Sequence, residues 1–323
     1  MTATTLSVEQ LAQAQQDAEP VSFQLPWGCL RGLRWGPQEQ VPQVLALHGW
    51  QDNAASFIPL AAALPAEVSL LALDFAGHGH SDKRPRGVHY HFVDYVYDSW
   101  SVLQQLGIAA QSPLPLLLGH SMGGYVATML ASLDGLQQAE TGNASIQQLV
   151  SVEAYGLLAA EADDTVRQLQ KGMQSRFNWE QKAGLQATPA QQSPPRPLSR
   201  SQALSARAAV ADFEECYVAL LVDRALQAVD DNAQRFVWRT DRAVRTTSPY
   251  RFVADQVTSL MRHIACPMHV IRGEQGFQEL QVAQQRWPLP ASQCLQQCWP
   301  GGHHVHMQQG PRLAELIVQL LRN

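Results

Sequence analysis

The stretch LPLLLGHSMGG, residues 114–124, decides the fold. The apolar run from Leu114 to Leu118 reads as a buried strand, and the small residues beginning near Gly124 read as a helix. Ser121 lies at the turn between them, with Gly119 and Gly123 two positions away on either side. Glycine lets strand and helix approach closely, and the tight, strained turn lifts the serine Oγ out of the sheet. This nucleophile elbow makes Ser121 a candidate catalytic residue.

Further short apolar runs flank this one, at Val44–Leu47, Leu70–Phe75, Leu149–Val152 and Met268–Ile271, separated by longer and mostly helical segments. Continuous apolar strands alternating with helices predict an α/β fold with a mostly parallel sheet covered on both faces. The pattern predicts a helix over 92–106 with an apolar stripe of Val93, Val96, Trp100 and Leu103, stopped by Gly107. Another helix opens at Pro311 and carries Leu313, Leu316, Ile317, Leu320 and Leu321 on one face. Between Ala154 and about Arg262 the alternation is lost and Gln, Arg and Ala dominate, predicting a helical insertion with a flexible loop around Pro189 to Pro197. Residues 1–153 and 263–323 are then the core domain, and 154–262 a helical cap or lid.

The chain has 323 residues, is 46% hydrophobic and carries a net charge of -5. That permits a sizeable core, and the dispersed arginines give no basic footprint for nucleic acid or an anionic membrane. With no long apolar span and no basic leader, a cytoplasmic protein is expected. Five irregularly spaced cysteines read as reduced thiols, and Cys294 with Cys298 lacks a second ligand pair for a metal. Gly77-His78-Gly79 lacks the dinucleotide pattern and no phosphate-cradling loop is present, so no cofactor is expected. The expected partner is a small molecule, an apolar ester by preference; oligomeric state is open.

A serine nucleophile needs a base, an acid to orient it and donors for an oxyanion. His48-Gly49-Trp50 follows the strand Val44–Leu47, where the Trp50 N–H can act with that of Met122 on the negative oxygen of a tetrahedral intermediate. Gly301-Gly302-His303-His304-Val305-His306 follows the segment Gln293–Trp299, read as the last strand. Imidazole suits the base because its ordinary pKa near 6.5 lets it take and return a proton at neutral pH. His303 directly follows the glycine pair, His304 is its rival, and His306 reads as a packing residue. For the acid, Glu153 ends the strand Leu149–Val152, and Glu274 follows the strand from Met268. Asp74, in the segment DFAGHGHSD, reads as a structural acceptor of backbone N–H bonds. Trp50, Phe57, Tyr155, Phe177 and Trp179 are candidate lining aromatics.

HGW at 48–50, DFAGHGHSD at 74–82, GHSMGG at 119–124, CPMHVIRGE at 266–274 and GGHHVHM at 301–307 occur in an order that resembles the α/β-hydrolase superfamily, in its serine hydrolase-like branch. The resemblance runs from about Val44 to the end. It implies Ser121 as nucleophile, His303 as base, Trp50 and Met122 as oxyanion donors, no metal, and a lid between the sixth and seventh strands. Family members usually carry an aspartate where this chain has Gly276. A subset places the acid after the sixth strand, the position of Glu153. The expected activity is ester hydrolysis through an acyl-enzyme. A catalytically silent ligand binder on the same scaffold, or a hydrolase of C–C bonds, are the alternatives.

Overall fold

The central strands of this chain, such as those at Val44–Leu47 and Leu70–Asp74, are short and mostly apolar because both of their faces are covered. The computed structural model describes residues 6–38, 41–184, 196–230 and 232–322. In chain order the elements are α1 (Val8–Gln16), β1 (Glu19–Leu25), β2 (Gly28–Trp35), β3 (Val44–Leu47), α2 (Ile58–Ala61), β4 (Leu70–Asp74), α3 (Phe92–Gln105), β5 (Leu116–His120), α4 (Met122–Thr141) and β6 (Leu149–Val152). Then follow α5 (Thr165–Lys182), α6 (Arg200–Ala208), α7 (Glu215–Ala225), β7 (Leu226–Ala228), β8 (Phe236–Trp238) and α8 (Ala254–Arg262). The chain returns through β9 (Met268–Gly273), α9 (Glu279–Arg286), β10 (Cys294–Trp299), α10 (Val305–Gln308) and α11 (Gly310–Leu321).

Eight strands form one sheet in the order β1-β2-β4-β3-β5-β6-β9-β10. β1 and β2 pair antiparallel, β2 pairs antiparallel with β4, and all later pairings are parallel. The period-2 alternation of strands divides the core between the two faces. Leu45, Leu47, Leu71, Leu73 and Leu117 belong to one cluster with the buried face of α3 and α4, whereas Val44, Ala46, Leu70, Ala72, Leu116 and Leu118 join α2 and α11 in the other. No helix of the described residues is long and apolar enough to cross a membrane.

Several local expectations shift. The elbow strand runs Leu116–His120 and its helix begins at Met122, so the whole turn is the single residue Ser121. In α3 the buried face is Tyr95, Val96, Asp98, Ser99, Val102 and Leu103, while Val93 and Trp100 are exposed. Polar residues on that face misled the apolar count: the buried Asp98 accepts from Trp27 Nε1 at 2.9 Å and Arg84 at 2.7 Å. The first two strands escaped the apolar-run criterion because β1 has one covered face and alternates exposed with half-buried residues. The segment between β6 and β9 contains the two-stranded pair β7-β8 as well as helices. Residues Pro189 to Pro195 of the expected flexible loop lie outside the described residues.

Candidate active site

Among the described residues, three of the four non-glycine residues with positive φ follow neighbouring strands at one edge of the sheet: Gln51 after β3 (φ 63°), Ser121 after β5 (φ 49°) and Glu153 after β6 (φ 53°). Such conformations each cost about 1–3 kcal/mol and persist where surrounding contacts over-determine them. Those contacts are visible. Ser121 N–H donates to Val152 O at 2.8 Å, and Glu153 N–H donates to Ile271 O at 2.8 Å, so the ladders hold both residues at the strand ends. Behind Ser121, a Cβ on Gly123 would stand 2.0 Å from the Leu47 carbonyl, which is why α4 can press onto β3 only with glycine there.

Glu153 is completely buried. Its Oε1 accepts from Gly273 N–H at 2.7 Å and its Oε2 from Phe277 N–H at 2.9 Å. Oε2 also lies 3.0 Å from His303 Nδ1. Because the carboxylate already accepts two N–H bonds, the Nδ1 position carries the proton toward it, leaving Nε2 as the basic nitrogen. Glu274, the other sequence candidate for the acid, is exposed. The Phe277 ring packs against His303 with centroids 4.0 Å apart and the planes tilted by 32°. A Cβ on Gly276 would meet Glu153 Oε1 at 2.1 Å. The missing side chain at Gly276 therefore leaves the space that the Glu153 carboxylate fills. Gly276→Ala should displace that carboxylate, lowering the urea midpoint by the equivalent of about 1–3 kcal/mol and weakening any activity that depends on Glu153; an unchanged midpoint and rate would contradict this.

His303 is held at its backbone as well. Its carbonyl accepts from His120 Nε2 at 2.9 Å, and His120, one residue before Ser121, has its ring centroid 4.9 Å from that of His303. The His303 N–H donates to Asp212 Oδ2. Among the described residues Ser121 Oγ makes no hydrogen bond, to His303 or to any other group. Nucleophile–base bonds are commonly loose before substrate binds. Met122 opens α4, and its N–H has no partner within the helix. The Trp50 N–H likewise makes no hydrogen bond among the described residues, while its indole Nε1 donates to Val244 O at 3.0 Å.

His304, the rival base, is differently placed. Its Nδ1 lies 2.9 Å from Asp212 Oδ1 and its Nε2 3.2 Å from Asp52 Oδ2. Burial disfavours its charge, but Asp52 and Asp212 outweigh that and raise its pKa to about 9. It is an imidazolium at neutral pH, with no lone pair to accept a proton. His306 is buried against the His120 ring at 3.9 Å and Phe57 at 5.5 Å. Among the described residues no group of three or more His, Cys, Asp or Glu is arranged to hold a metal ion.

His48 and Asp74 brace the edge. His48 donates from Nδ1 to Gly49 O at 2.7 Å and accepts from Phe75 N–H at 3.0 Å, tying the loop after β3 to β4. Asp74 accepts from Ala54 N–H and His80 N–H, each at 2.8 Å, and also from Arg224, whose Nη2 stands 2.6 Å away. Of the candidate lining aromatics, Phe57 and Tyr155 are core residues, 0% and 1% exposed, because each ring is enclosed by its own side of the sheet. Trp179 packs on His89 at 5.9 Å, and Trp50 and Phe177 remain about half exposed. Asp52, Arg207 and Asp212 were not singled out in the sequence; only the nearness of Asp52 to His48 hinted at the first.

The family model of the alpha/beta hydrolase family matches residues 44–316. The chain belongs to the alpha/beta hydrolase family. The eight-stranded, mostly parallel sheet of this chain agrees with that membership. A serine hydrolase-like protein of Danio rerio is 28% identical to it, over 92% of this chain and 86% of the relative. A hypothetical protein from Pseudomonas aeruginosa PAO1 has a solved structure that superposes with a TM-score of 0.73 at 29% identity, covering 94% of this chain and 97% of that one. The thioesterase domain from the curacin biosynthetic pathway gives a TM-score of 0.72 at 25% identity, covering 94% and 99% respectively.

Proposed function

We propose that the protein is a serine hydrolase that cleaves carboxylic esters through an acyl-enzyme. The observation that carries this reading is the 3.0 Å contact of Glu153 with His303 Nδ1 at the same sheet edge as the strained Ser121 turn. In it, Ser121 Oγ attacks the ester carbonyl as His303 Nε2 takes its proton, while Glu153 holds the imidazole in the required tautomer. The N–H groups of Trp50 and Met122 receive the oxyanion. The tetrahedral intermediate then collapses, His303 gives its proton to the departing alcohol, and water repeats the sequence to release the acid. The segment 154–262 acts as the lid that selects the acyl or alcohol portion. The serine hydrolase-like and thioesterase names of the relatives agree in kind with acyl chemistry at a serine.

The rival reading is a binder that keeps the scaffold without the reaction, and the unbonded Ser121 Oγ favours it. An activity-based phosphonate separates the two. Covalent labelling that maps to Ser121, together with turnover of aryl esters across a series of acyl chain lengths, is the expected result. An unmodified serine and no turnover across the series would establish the binder instead.

A further inference from the structure

The base is gripped from outside the sheet. Asp212 lies in the connection between α6 and α7, within the segment inserted between β6 and β9. Its Oδ2 accepts the His303 N–H, and its Oδ1 lies 2.9 Å from His304 Nδ1. Its carboxylate also explains one of the two glycines before His303: a Cβ on Gly302 would fall 2.1 Å from Asp212 Oδ2. On the other side of His304, Asp52 at the end of the loop after β3 is 2.6 Å from Arg207 of α6. The result is a chain of alternating charge, Arg207, Asp52, His304 and Asp212, that leaves the inserted segment, passes through the core and returns to it.

We propose that Asp212 is a positioning residue for His303, so that the inserted segment, and not the sheet alone, sets where the proton acceptor stands. This rests on the reading of His303 as the base of a serine hydrolase. Three groups fix His303: Glu153 at ring Nδ1, His120 at the carbonyl and Asp212 at the N–H. The first two belong to strand ends of the core, and the third is the one that moves if the inserted segment lifts. Misplacement of a reacting group by about 1 Å can lower a rate on the order of 10²-fold, so the loss of one backbone anchor is enough to be read in turnover.

The groups facing His304 are Asp52, Asp212, Arg207, His120, His303 and His306, with the Phe213 ring at 4.4 Å. The His304 pKa is raised in the fold, so its ion pairs are intact below the ordinary imidazole range and are lost as pH rises through about 9. Asp212 is held down to about 2, where burial is outweighed by His304 and the His303 N–H, so acid breaks the arrangement only at extreme pH. Turnover should accordingly decline on the alkaline side as His304 loses its proton.

The test compares full-length wild type, Asp212→Asn and Asp212→Ala in steady-state hydrolysis of one aryl ester from pH 6 to 10. Phosphonate labelling of Ser121 and thermal melting are followed in parallel. With all three proteins folded, the proposal expects kcat to fall about 10- to 100-fold in both variants with KM within about threefold of wild type. It also expects labelling to slow in step, and the alkaline decline of Asp212→Asn to move to lower pH, which a merely structural aspartate would not cause. Variants that match wild type in kcat and in the alkaline limb overturn it. If Asp212→Ala does not fold, Asp212→Asn with its kcat and pH profile decides by the same criteria. A wild-type protein that neither turns over ester nor takes the label instead refutes the serine hydrolase reading on which the proposal rests.

Discussion

Ser121→Ala is expected to lower kcat for ester hydrolysis by on the order of 10⁴-fold or more, since removing a triad nucleophile leaves only the contribution of binding and the oxyanion donors. The protein should remain folded. Ser121 contributes to the structure through its backbone, donating to Val152 O and accepting from Gly124 and Tyr125, whereas its Oγ has no hydrogen bond to lose. Alanine has the same difficulty as serine at a φ of 49°, so the strain of the turn is unchanged. The check is kcat/KM for one aryl ester beside a melting curve, in protein purified free of host esterases. An alanine variant as active as wild type would remove the nucleophile from the reading altogether.

The second large effect belongs to the acid. Glu153→Gln keeps the shape but places an amide where His303, Gly273 and Phe277 all present N–H groups. An orienting carboxylate changed to its amide favours the wrong histidine tautomer, and the expected loss in kcat is about 10⁴-fold. Glu153→Ala adds a cost in stability, because it leaves the two backbone N–H donors of Gly273 and Phe277 without their acceptor, at about 1–3 kcal/mol each. Gly276 supplies the control. Its Cβ direction points into the volume of the Glu153 carboxylate, 2.1 Å from Oε1. Aspartate at 276 therefore clashes in the wild-type background, but in Glu153→Ala it puts a carboxylate near the vacated place and should recover part of the activity. Retention of kcat within a few-fold by Glu153→Gln would show that the carboxylate does not orient the base.

The elbow was legible because its information is local: an apolar strand, a serine and glycines two residues away describe one turn completely. The same holds for β3 and β4, whose burial on both faces leaves the apolar runs Val44–Leu47 and Leu70–Leu73, for β6 and β9, whose runs are each interrupted only once, by Ser151 and His269, and for α11, whose stripe repeats every three to four residues. α3 shows the limit. Its buried face includes Asp98 and Ser99, and a polar residue satisfied inside the fold cannot be told from a solvated one by its identity.

Sequence order was enough to name a nucleophile, a family pattern and a short list of histidines and carboxylates, since each is carried by residues within a few positions of one another. Choosing among them required distant segments to meet. Glu153 and His303 are 150 residues apart, and Asp212 and His304 are 92 apart. Packing encloses His304 between two aspartates, and it places the Glu153 carboxylate in the space that Gly276 leaves open. Neither fact has a local signature, because electrostatic environment and steric exclusion are properties of the neighbours that folding brings together, not of the neighbours along the chain.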